Sequence, residues 1–436
     1  MTTKKIDIDK IQNIHFVGIG GIGMSSLARH FMAEKKVVRG SDRELTNLTK
    51  ALAAEGIQVC CPQSADNIAP DTELVIYTEA VTKGSDGWTE LQEAKKKKIP
   101  TINYFEALGL AMNPYYLIAV AGTHGKTTTT AMLTDIFESV DKDPTAVIGS
   151  LRAKTQSNYR AGKSKYAIVE ACEYKRDFLF LRPEILVITN IELEHVDYYT
   201  SLADVQSAFK ELAQHVPDTG FIICDTSDPN LQPVIADVAA KVVDYTQYLD
   251  LQLSLKQPGL HNKLNAAAAV ATAIQEKIDR NDSSQALVDF TGTWRRYQYK
   301  GEINGVPVYD DYAHHPTEIA VTIAATKELY PDKRITVVFK PHTFTRAAAM
   351  FDDFAKSFRG ADRVCLLPIY GAREENVTGV SSRELAVKSL EYVANVHYFG
   401  GHESLEENLR DTLTPGEVLV IMGAGDVTLL ADSLTT

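Results

Sequence analysis

Short apolar runs rich in β-branched residues alternate along this chain with segments whose apolar residues have the spacing of a helix face. Strand-like runs begin near residues 13, 74, 115, 166, 185, 308, 335 and 418. A helical stripe between two of them is formed by Leu202, Val205, Phe209 and Leu212. Because strands that alternate with helices build parallel sheets covered by helices, the pattern predicts an α/β protein with mostly parallel sheets.

Residues 118–130, IAVAGTHGKTTTT, join a buried strand to a helix through a short glycine-containing loop. In such a loop, backbone N–H groups and the helix N-terminus point at one small volume, where a lysine and a hydroxyl can bind phosphate and Mg²⁺. Val120 stands where the general phosphate-loop pattern has its first glycine, and the alternative is a glycine turn that binds nothing. We predict a nucleotide site formed by Gly122, Thr123, His124, Gly125, Lys126, Thr127 and Thr128.

Length, charge and cysteine content narrow the class of protein. The 436 residues exceed what one hydrophobic core supports, so we expect two or three domains. The net charge of −12 argues against general nucleic-acid binding. No apolar run has membrane-spanning length and residues 1–10 are polar, so we expect a cytoplasmic protein without a signal peptide or membrane insertion. The five cysteines lack metal-binding spacing, which is typical of reduced thiols.

The first segment contains a second glycine turn, NIHFVGIGGIG. Its GxGxxG pattern is formed by Gly18, Gly20 and Gly23. Ser41 and Asp42 follow the next strand, where an acidic side chain can contact a ribose, and Thr78 closes a third strand. Alone, this pattern indicates a Rossmann-like unit that binds some nucleotide phosphate, and an NAD-dependent oxidoreductase is one reading of it.

Polar side chains also follow two strands downstream of the phosphate loop. Glu170 ends one strand, and Asn190 and His195 follow the next. Carboxylate oxygens suit Mg²⁺, and a histidine can add a ligand or a hydrogen bond. The sequence therefore predicts a magnesium–nucleotide site, with a solvated strand end as the alternative for Glu170 and an ordinary polar residue as the alternative for His195.

The segment PGLHNKLNAAAA at 258–269 predicts a turn that leads into a helix with small residues. Its polar side chains near the helix start are His261, Asn262 and Asn265. Amides there can read the edge of a purine or cap the helix, and both interpretations stay open.

Two strands of the last segment end in polar clusters. VYDDYAHHP contains Asp311, Tyr312 and His314, and KPHTFTR contains His342 and Arg346. A guanidinium can bind a carboxylate with two hydrogen bonds, although an arginine at the end of an element is ordinarily solvated. Because His342 and Arg346 occur in the same segment as the first polar cluster, we interpret them as part of a carboxylate site in a further α/β domain.

Six motifs in chain order, GTHGKTT, VEACEY, TNIELEHVDYY, PGLHNKLN, DDYAHHPTE and PHTFTR, resemble those of the Mur ligases of peptidoglycan synthesis. FVGIGGIGMSSLA at the amino end is similar to the members that use UDP-N-acetylmuramate and L-alanine. The resemblance runs from about residue 14 to the end. It implies three domains: an N-terminal Rossmann-like domain for the UDP-sugar (1–113), a central P-loop ATPase domain with a mostly parallel sheet (114–290) and a C-terminal Rossmann-like domain for the amino acid (291–436).

The resemblance also implies residue roles. Lys126 would hold the β- and γ-phosphates of ATP, and Asn190 would contact the reacting phosphate region. The implied Mg²⁺ ligands are Thr127, Glu170 and His195. The adenine side would be His261, Asn262 and Asn265, with Asp311 at the ribose. The UDP-sugar would meet Gly18, Gly20, Gly23, Ser41, Asp42 and Thr78. The amino-acid end would be Tyr312, His314, His342 and Arg346, with His342 or His314 as proton acceptor.

Two departures from the family pattern stand out. Thr343 replaces a second arginine that many relatives carry, and Cys172 replaces a carboxylate. The first leaves Arg346 alone as the implied carboxylate clamp, and the second removes one negative charge near the implied metal ligands.

The reaction implied by the resemblance is ATP-dependent amide formation between the lactyl carboxylate of UDP-N-acetylmuramate and L-alanine, through an acyl phosphate. It serves cell-wall biogenesis, and with it cell shape and division. The alternatives are a ligase that attaches a whole tripeptide to the same UDP-sugar, an NAD-dependent oxidoreductase, and a non-catalytic nucleotide-binding module. We expect a monomer or a weak homodimer.

Overall fold

The computed structural model describes residues 6–372 and 374–435, so the first half of the polar amino end, residues 1–5, lies outside the described residues. In these ranges the strands form three sheets with mostly parallel pairing, which confirms the predicted three-domain α/β architecture. The domain boundaries near 113 and 290 stay a prediction. No described helix combines the length and the apolar character that crossing a membrane requires.

By contacts, the chain divides into two compact units. The first compact unit comprises Met1–Ile191, Gln206–Tyr248 and Ala268–Ala286. The second compact unit comprises Glu192–Val205, Leu249–Ala267 and Leu287–Thr436. The first unit therefore contains both amino-terminal sheets, and the second contains the carboxy-terminal sheet.

The first sheet has the strand order β3-β2-β1-β4-β5 and is parallel throughout its described residues. Its strands are β1 (Asn13–Val17), β2 (Val37–Ser41), β3 (Gln58–Cys60), β4 (Leu74–Tyr77) and β5 (Thr101–Asn103). Its helices are α1 (Ile22–Ala33), α2 (Asn47–Ala54), α3 (Asp86–Lys96) and α4 (Tyr104–Met112). Because β1 lies between β2 and β4, the residues after these three strands meet at one edge, where ligands bind in such sheets.

The second sheet has the described order β12-β11-β10-β6-β9-β7-β8, with only β8 antiparallel to its neighbour. Its strands are β6 (Tyr116–Ala121), β7 (Thr145–Arg152), β8 (Ser157–Arg160), β9 (Tyr166–Glu170), β10 (Ile185–Ile188), β11 (Phe221–Cys224) and β12 (Lys241–Asp244). The helices of this part of the chain are α5 (Lys126–Ser139), α6 (Leu202–Ala213), α7 (Gln232–Ile235), α8 (Leu260–Gln275) and α9 (Arg280–Asp289). Strand β6, which is buried from Leu117 to Ala121, lies between β9 and β10, so the phosphate loop begins between their ends.

The third sheet has the described order β13-β14-β18-β15-β16-β17, and only β13 is antiparallel. Its strands are β13 (Gln298–Ile303), β14 (Val306–Asp311), β15 (Arg334–Phe339), β16 (Arg363–Leu366), β17 (Val396–Tyr398) and β18 (Glu417–Met422). Its helices are α10 (Pro316–Leu329), α11 (Phe344–Ala349), α12 (Phe351–Ser357), α13 (Ser382–Ser389), α14 (His402–Thr412) and α15 (Thr428–Thr435). Two apolar clusters cover its faces, one around Phe339 and Phe354, the other around Leu405 and Leu409. Both predicted polar clusters therefore follow strands of one sheet.

A buried polar network attaches α1 to the β7–β8 hairpin within the first compact unit. Asn158 of β8 is fully buried; its Nδ2 donates to Ser25 Oγ at 2.9 Å and to the carbonyl of Ile22. Its Oδ1 accepts from Arg29 Nη1 at 2.6 Å, and Arg29 also forms an ion pair with Glu55. Because α1 begins directly after the glycine turn, this network fixes the turn relative to the second sheet.

We expect Asn158→Ala to lower the free energy of unfolding by about 1–3 kcal/mol, because it leaves buried donors and acceptors without partners. Chemical denaturation followed by circular dichroism measures the change. The exposed Asn281 of α9 offers a matched control, and equal transitions for Asn158→Ala and Asn281→Ala would contradict the role given to the network.

Candidate active site

The loop between β6 and α5 takes a backbone path that requires glycine at two positions. The φ angle is +132° at Gly122 and +83° at Gly125, and residues with a Cβ atom rarely adopt such positive φ angles. A Cβ at position 122 would lie 3.0 Å from Thr189 N and closer still to Thr189 Oγ1. The glycines of GTHGKTT are therefore fixed by backbone geometry and, at position 122, by the approach of the residues after β10.

Residues after β10 hold this loop in place. Asn190 Oδ1 accepts from the His124 N–H at 2.9 Å, and Asn190 Nδ2 donates to the His124 carbonyl at 3.1 Å. The Asn190 carbonyl accepts from the Thr123 N–H at 3.0 Å, and the Thr189 hydroxyl donates to the His124 carbonyl. The amide predicted to contact the phosphate region is thus bound to the loop backbone on both sides.

Lys126, the first residue of α5, is held by acceptors of the protein. Its Nζ donates to the carbonyls of Gly122 and, at 3.0 Å, Thr123, and it lies 2.9 Å from Glu173 Oε2. Burial works against its charge, but Glu173 and other nearby acidic groups raise the pKa of Lys126, so the ammonium form persists. The sequence contained Glu173 in VEACEY, but nothing in the pattern assigned it to the lysine.

Glu170 lies beside Thr127, as predicted. Its Oε1 accepts from Thr127 Oγ1 at 3.0 Å, and its Oε2 accepts from the Gly149 N–H at 2.8 Å. A Cβ on Gly149 would come 2.5 Å from Glu170 Cδ, so this glycine makes room for the carboxylate. A carboxylate and a hydroxyl are oxygen donors of the kind that Mg²⁺ prefers, and the pair fits that ion. Burial raises the pKa of the nearby Cys172 thiol to about 12, so Cys172 adds no charge.

The edge of the first sheet brings most of its predicted residues together. Gly20 N–H donates to Asp42 Oδ2 at 2.7 Å, and a Cβ on Gly18 would lie 2.5 Å from Thr78 Cγ2. Ser41 differs, because its side chain is fully buried and its hydroxyl donates to Glu90 at 2.7 Å. Only the Ser41 carbonyl meets the turn, where it accepts from the Gly18 N–H.

Gly23, the third glycine of the turn, lies against an aromatic ring that the sequence did not single out. A Cβ on Gly23 would come 2.6 Å from Tyr104 Cζ, at the start of α4. The third glycine of the pattern therefore serves close packing between α1 and α4.

In the second compact unit, Arg346 binds a carboxylate that belongs to the protein. Its Nε and Nη2 donate to Glu194 Oε1 at 2.9 and 2.6 Å, and its Nη1 donates to the His342 carbonyl at 2.6 Å. Burial alone would raise the pKa of Glu194, but Arg346 and the histidines nearby hold it well below its usual range. The Arg346 guanidinium, which the sequence predicts to bind a substrate carboxylate, is therefore already bound to Glu194. The sequence did not reveal this partner.

Two histidines lie at this edge of the third sheet. His314 Nδ1 is 3.0 Å from the Tyr312 carbonyl and 3.2 Å from Glu318 Oε2. His342 Nδ1 is 3.2 Å from Arg346 Nη1. Burial, together with His314 and Arg346, lowers the pKa of His342 to about 4. At neutral pH His342 is therefore uncharged.

Thr343, at the position of the missing arginine, contacts a loop carboxylate. Its hydroxyl donates to Glu374 Oε1 at 2.6 Å, and the Thr345 N–H donates to Glu374 Oε2 at 2.8 Å. Hydrogen bonds from both threonines hold the pKa of Glu374 below its usual range in spite of partial burial. The sequence gave no signal for Glu374, because it lies 31 residues from Thr343 in an irregular segment.

The residues predicted for adenine and ribose are engaged locally. Asn262 Nδ2 donates to the Pro258 carbonyl at 2.8 Å, which is not the N-cap interaction considered as the alternative. Asp311 accepts from the N–H groups of Tyr297 and Ala313, both at 2.7 Å, and burial raises the pKa of Asp311 to about 6. The nucleotide roles of His261, Asn262, Asn265 and Asp311, and the metal role of His195, stay predictions.

The class of protein is defined by three mostly parallel sheets with their helices, and by the phosphate loop between β6 and α5 of the second sheet. The Mur ligase family catalytic domain matches residues 13–116, the Mur ligase middle domain residues 120–248, and the glutamate ligase domain of Mur ligases residues 295–425. Together with the full-length relatives that follow, these matches confirm the predicted family, and the chain belongs to the Mur ligases.

Particular relatives are similar over their whole length. The chain is 39% identical to the UDP-N-acetylmuramate--L-alanine ligase of Agathobacter rectalis over 99% of both proteins. The UDP-N-acetylmuramate-alanine ligase of Thermotoga maritima is 28% identical in sequence to this chain. Its crystal structure matches with a TM-score of 0.80 over 97% of this chain and 98% of that one. The murein peptide ligase of Psychrobacter arcticus is 23% identical, with a TM-score of 0.72 over the same shares of the two chains, and shows the same fold.

Proposed function

We propose that this chain is an ATP-dependent ligase that joins the amino group of L-alanine to the lactyl carboxylate of UDP-N-acetylmuramate in the cytoplasm. The identity of 39% with a ligase of that name, over nearly the full length of both proteins, supports the substrates. The structural observation that carries the proposal is the phosphate loop, with the Lys126 ammonium at its end and the Thr127–Glu170 oxygen pair beside it. The product is a peptidoglycan precursor.

Amide formation from a carboxylate and an ammonium is uphill in water, so the carboxylate must first be activated. Its oxygen attacks the γ-phosphorus of ATP, the bond to the β-phosphate oxygen breaks, and an acyl phosphate and ADP result. The amine of L-alanine then attacks the acyl carbon, and phosphate leaves. The enzyme therefore needs fixed donors for phosphate oxygens and a proton acceptor for the amine.

The phosphate loop supplies the fixed donors. Asn190 and Thr189 bind the loop backbone at Thr123 and His124, so the remaining N–H groups keep their direction without a substrate. Lys126 exchanges the loop carbonyls and Glu173 for phosphate oxygens when ATP binds. Donors that are already oriented cost little reorganisation at the moment of reaction.

Thr127 and Glu170 would hold Mg²⁺, which when bound neutralises charge on phosphate oxygens. The Gly149 N–H keeps one Glu170 oxygen in place, and Thr127 lies at the other. The glycine turn from Gly18 to Gly23 would bind the diphosphate of UDP at the start of α1. We assign the amino-acid end to Tyr312, His314 and His342; Arg346 positions His342, and its role as a substrate clamp stays a prediction.

Phosphate release tests the function, with ATP, Mg²⁺ and UDP-N-acetylmuramate held constant while the amine is varied. We expect release with L-alanine and an amide product of the corresponding mass. Glycine, L-serine and the tripeptide L-alanyl-γ-D-glutamyl-meso-diaminopimelate are the comparison amines. Release with the tripeptide alone would identify the recycling ligase instead, and a change in nicotinamide absorbance without phosphate release would identify an oxidoreductase.

We expect Lys126→Ala to lower kcat by about 100-fold or more, because it removes the cation at the phosphate loop. The substitution also removes the charge that offsets Glu173, so stability falls as well. The double variant Lys126→Ala/Glu173→Gln restores the melting temperature but not kcat, and Lys95→Ala on the exposed end of α3 is the charge-matched control. Recovery of turnover in the double variant would refute the phosphate role.

We expect Gly149→Ala to raise the Mg²⁺ concentration for half-maximal activity by about 10-fold or more, since a Cβ there displaces the Glu170 carboxylate. Titration of phosphate release with Mg²⁺ at saturating substrates measures the effect. Gly400→Ala is the control, because a Cβ at that exposed position meets no atom within 4 Å. An unchanged Mg²⁺ requirement for Gly149→Ala would argue against Glu170 as a ligand.

A further inference from the structure

His314 and His342 face each other in the second compact unit, with ring centroids 6.3 Å apart and planes at 84°. The neighbours of His314 Nδ1 are the Tyr312 carbonyl at 3.0 Å and Glu318 Oε2 at 3.2 Å. A carbonyl and an ionised carboxylate only accept hydrogen bonds. His314 Nδ1 therefore carries a hydrogen, and its Nε2 keeps the lone pair.

His342 has the opposite arrangement. Its Nδ1 lies 3.2 Å from Nη1 of Arg346, and a guanidinium only donates hydrogen bonds. His342 Nδ1 therefore accepts, and the neutral ring carries its hydrogen on Nε2. A second proton on this ring would place a cation beside Arg346, which agrees with the lowered pKa of His342.

We propose that the two histidines have different tasks in amide formation, an inference that rests on the proposed ligase function. His314 Nε2 accepts a proton from the L-alanine ammonium, and His342 Nε2–H donates a hydrogen bond to the carbonyl oxygen of the acyl phosphate. Glu318 is the positioning residue for His314, and Arg346 is the positioning residue for His342.

The ammonium gives one proton to His314 Nε2, and the freed nitrogen lone pair forms the C–N bond. The carbonyl π electrons move onto the oxygen that His342 contacts, and they return as the acyl C–O bond breaks. Phosphate leaves with that electron pair and takes up the second proton of the nitrogen, which leaves a neutral amide.

Glu318 is held rigidly in the position that this task requires. It is the third residue of α10, and its Oε2 also accepts from the N–H groups of His314 at 2.9 Å and His315 at 3.2 Å. A carboxylate fixed beside Nδ1 accepts the hydrogen of that nitrogen and so keeps the lone pair of the ring on Nε2. The charged and titratable groups around His314 and its carboxylate partner include Tyr312, His342, His315, Glu194, Arg296 and Asp311.

The sharpest test is Glu318→Gln, which keeps an acceptor for the backbone N–H groups and removes the charge. We expect kcat with L-alanine to fall about 10-fold or more. The fall should appear in kcat and not in KM for L-alanine, because the lost contact orients the proton acceptor and does not bind the substrate. KM for ATP should not change. Glu384→Gln is the matched control, since Glu384 is the third residue of α13 and caps with Ser381.

Variants of the histidines separate the two tasks. His314→Gln should lose about 100-fold or more in kcat, and the loss should shrink as the pH rises, because L-alanine then gives its ammonium proton to solvent. His342→Gln keeps an N–H donor and should retain more activity than His342→Leu, and neither should recover at high pH. A loss in His314→Gln that is constant with pH, or recovery of the His342 variants, would overturn the assignment.

Wild-type activity distinguishes the two levels of the proposal. If the wild type releases no phosphate with UDP-N-acetylmuramate and L-alanine, the ligase function itself fails. If the wild type is active but Glu318→Gln has the kcat of Glu384→Gln, the function stands and the division of tasks between the histidines is wrong.

Discussion

The conformation of the phosphate loop depends on its rigid attachment to the residues after β10. Asn190 binds both the N–H and the carbonyl of His124, and Thr189 occupies the space beside Gly122. A loop held in this way keeps its remaining N–H groups oriented before any phosphate arrives. The parallel order of β9, β6 and β10 makes this possible, because it brings Glu170 and Asn190 to opposite sides of the same loop.

The sequence predicts residues whose position follows from backbone rules. Gly18, Gly122, Gly125 and Glu170 were found because a positive φ angle and the end of a parallel strand leave recognisable patterns. Residues fixed by tertiary contact were not found, such as Gly149, which makes room for Glu170, or Glu374, which binds Thr343. Ser41 was interpreted as a ligand-edge residue because strand periodicity cannot show that its hydroxyl turns inward to Glu90.

Both cations that the sequence assigned to substrate anions are paired with protein carboxylates. Lys126 lies against Glu173, and Arg346 against Glu194, and all four side chains are largely buried. An unpaired buried charge is costly, so such partners stabilise the protein while no substrate is bound. With the proposed role of Lys126, ATP binding would exchange one anion for another, and the net gain in free energy would be the difference between two strong interactions. Such an exchange favours a ligand that has more negative charge and more acceptor oxygens than a carboxylate, and a triphosphate is such a ligand.

The contact between Glu318 and His314 could not be predicted from the sequence. In HHPTE, Glu318 has the position of an ordinary capping residue, and in the structure it does accept N–H groups at the start of α10. Its second contact, to His314 Nδ1, joins a residue just before the N-cap of α10 to one in the first turn of that helix, four residues later. A capping carboxylate that also faces an imidazole sets which nitrogen bears the hydrogen. In this arrangement one side chain both caps the helix and orients the His314 ring, so the stability of α10 and the tautomer of His314 are coupled.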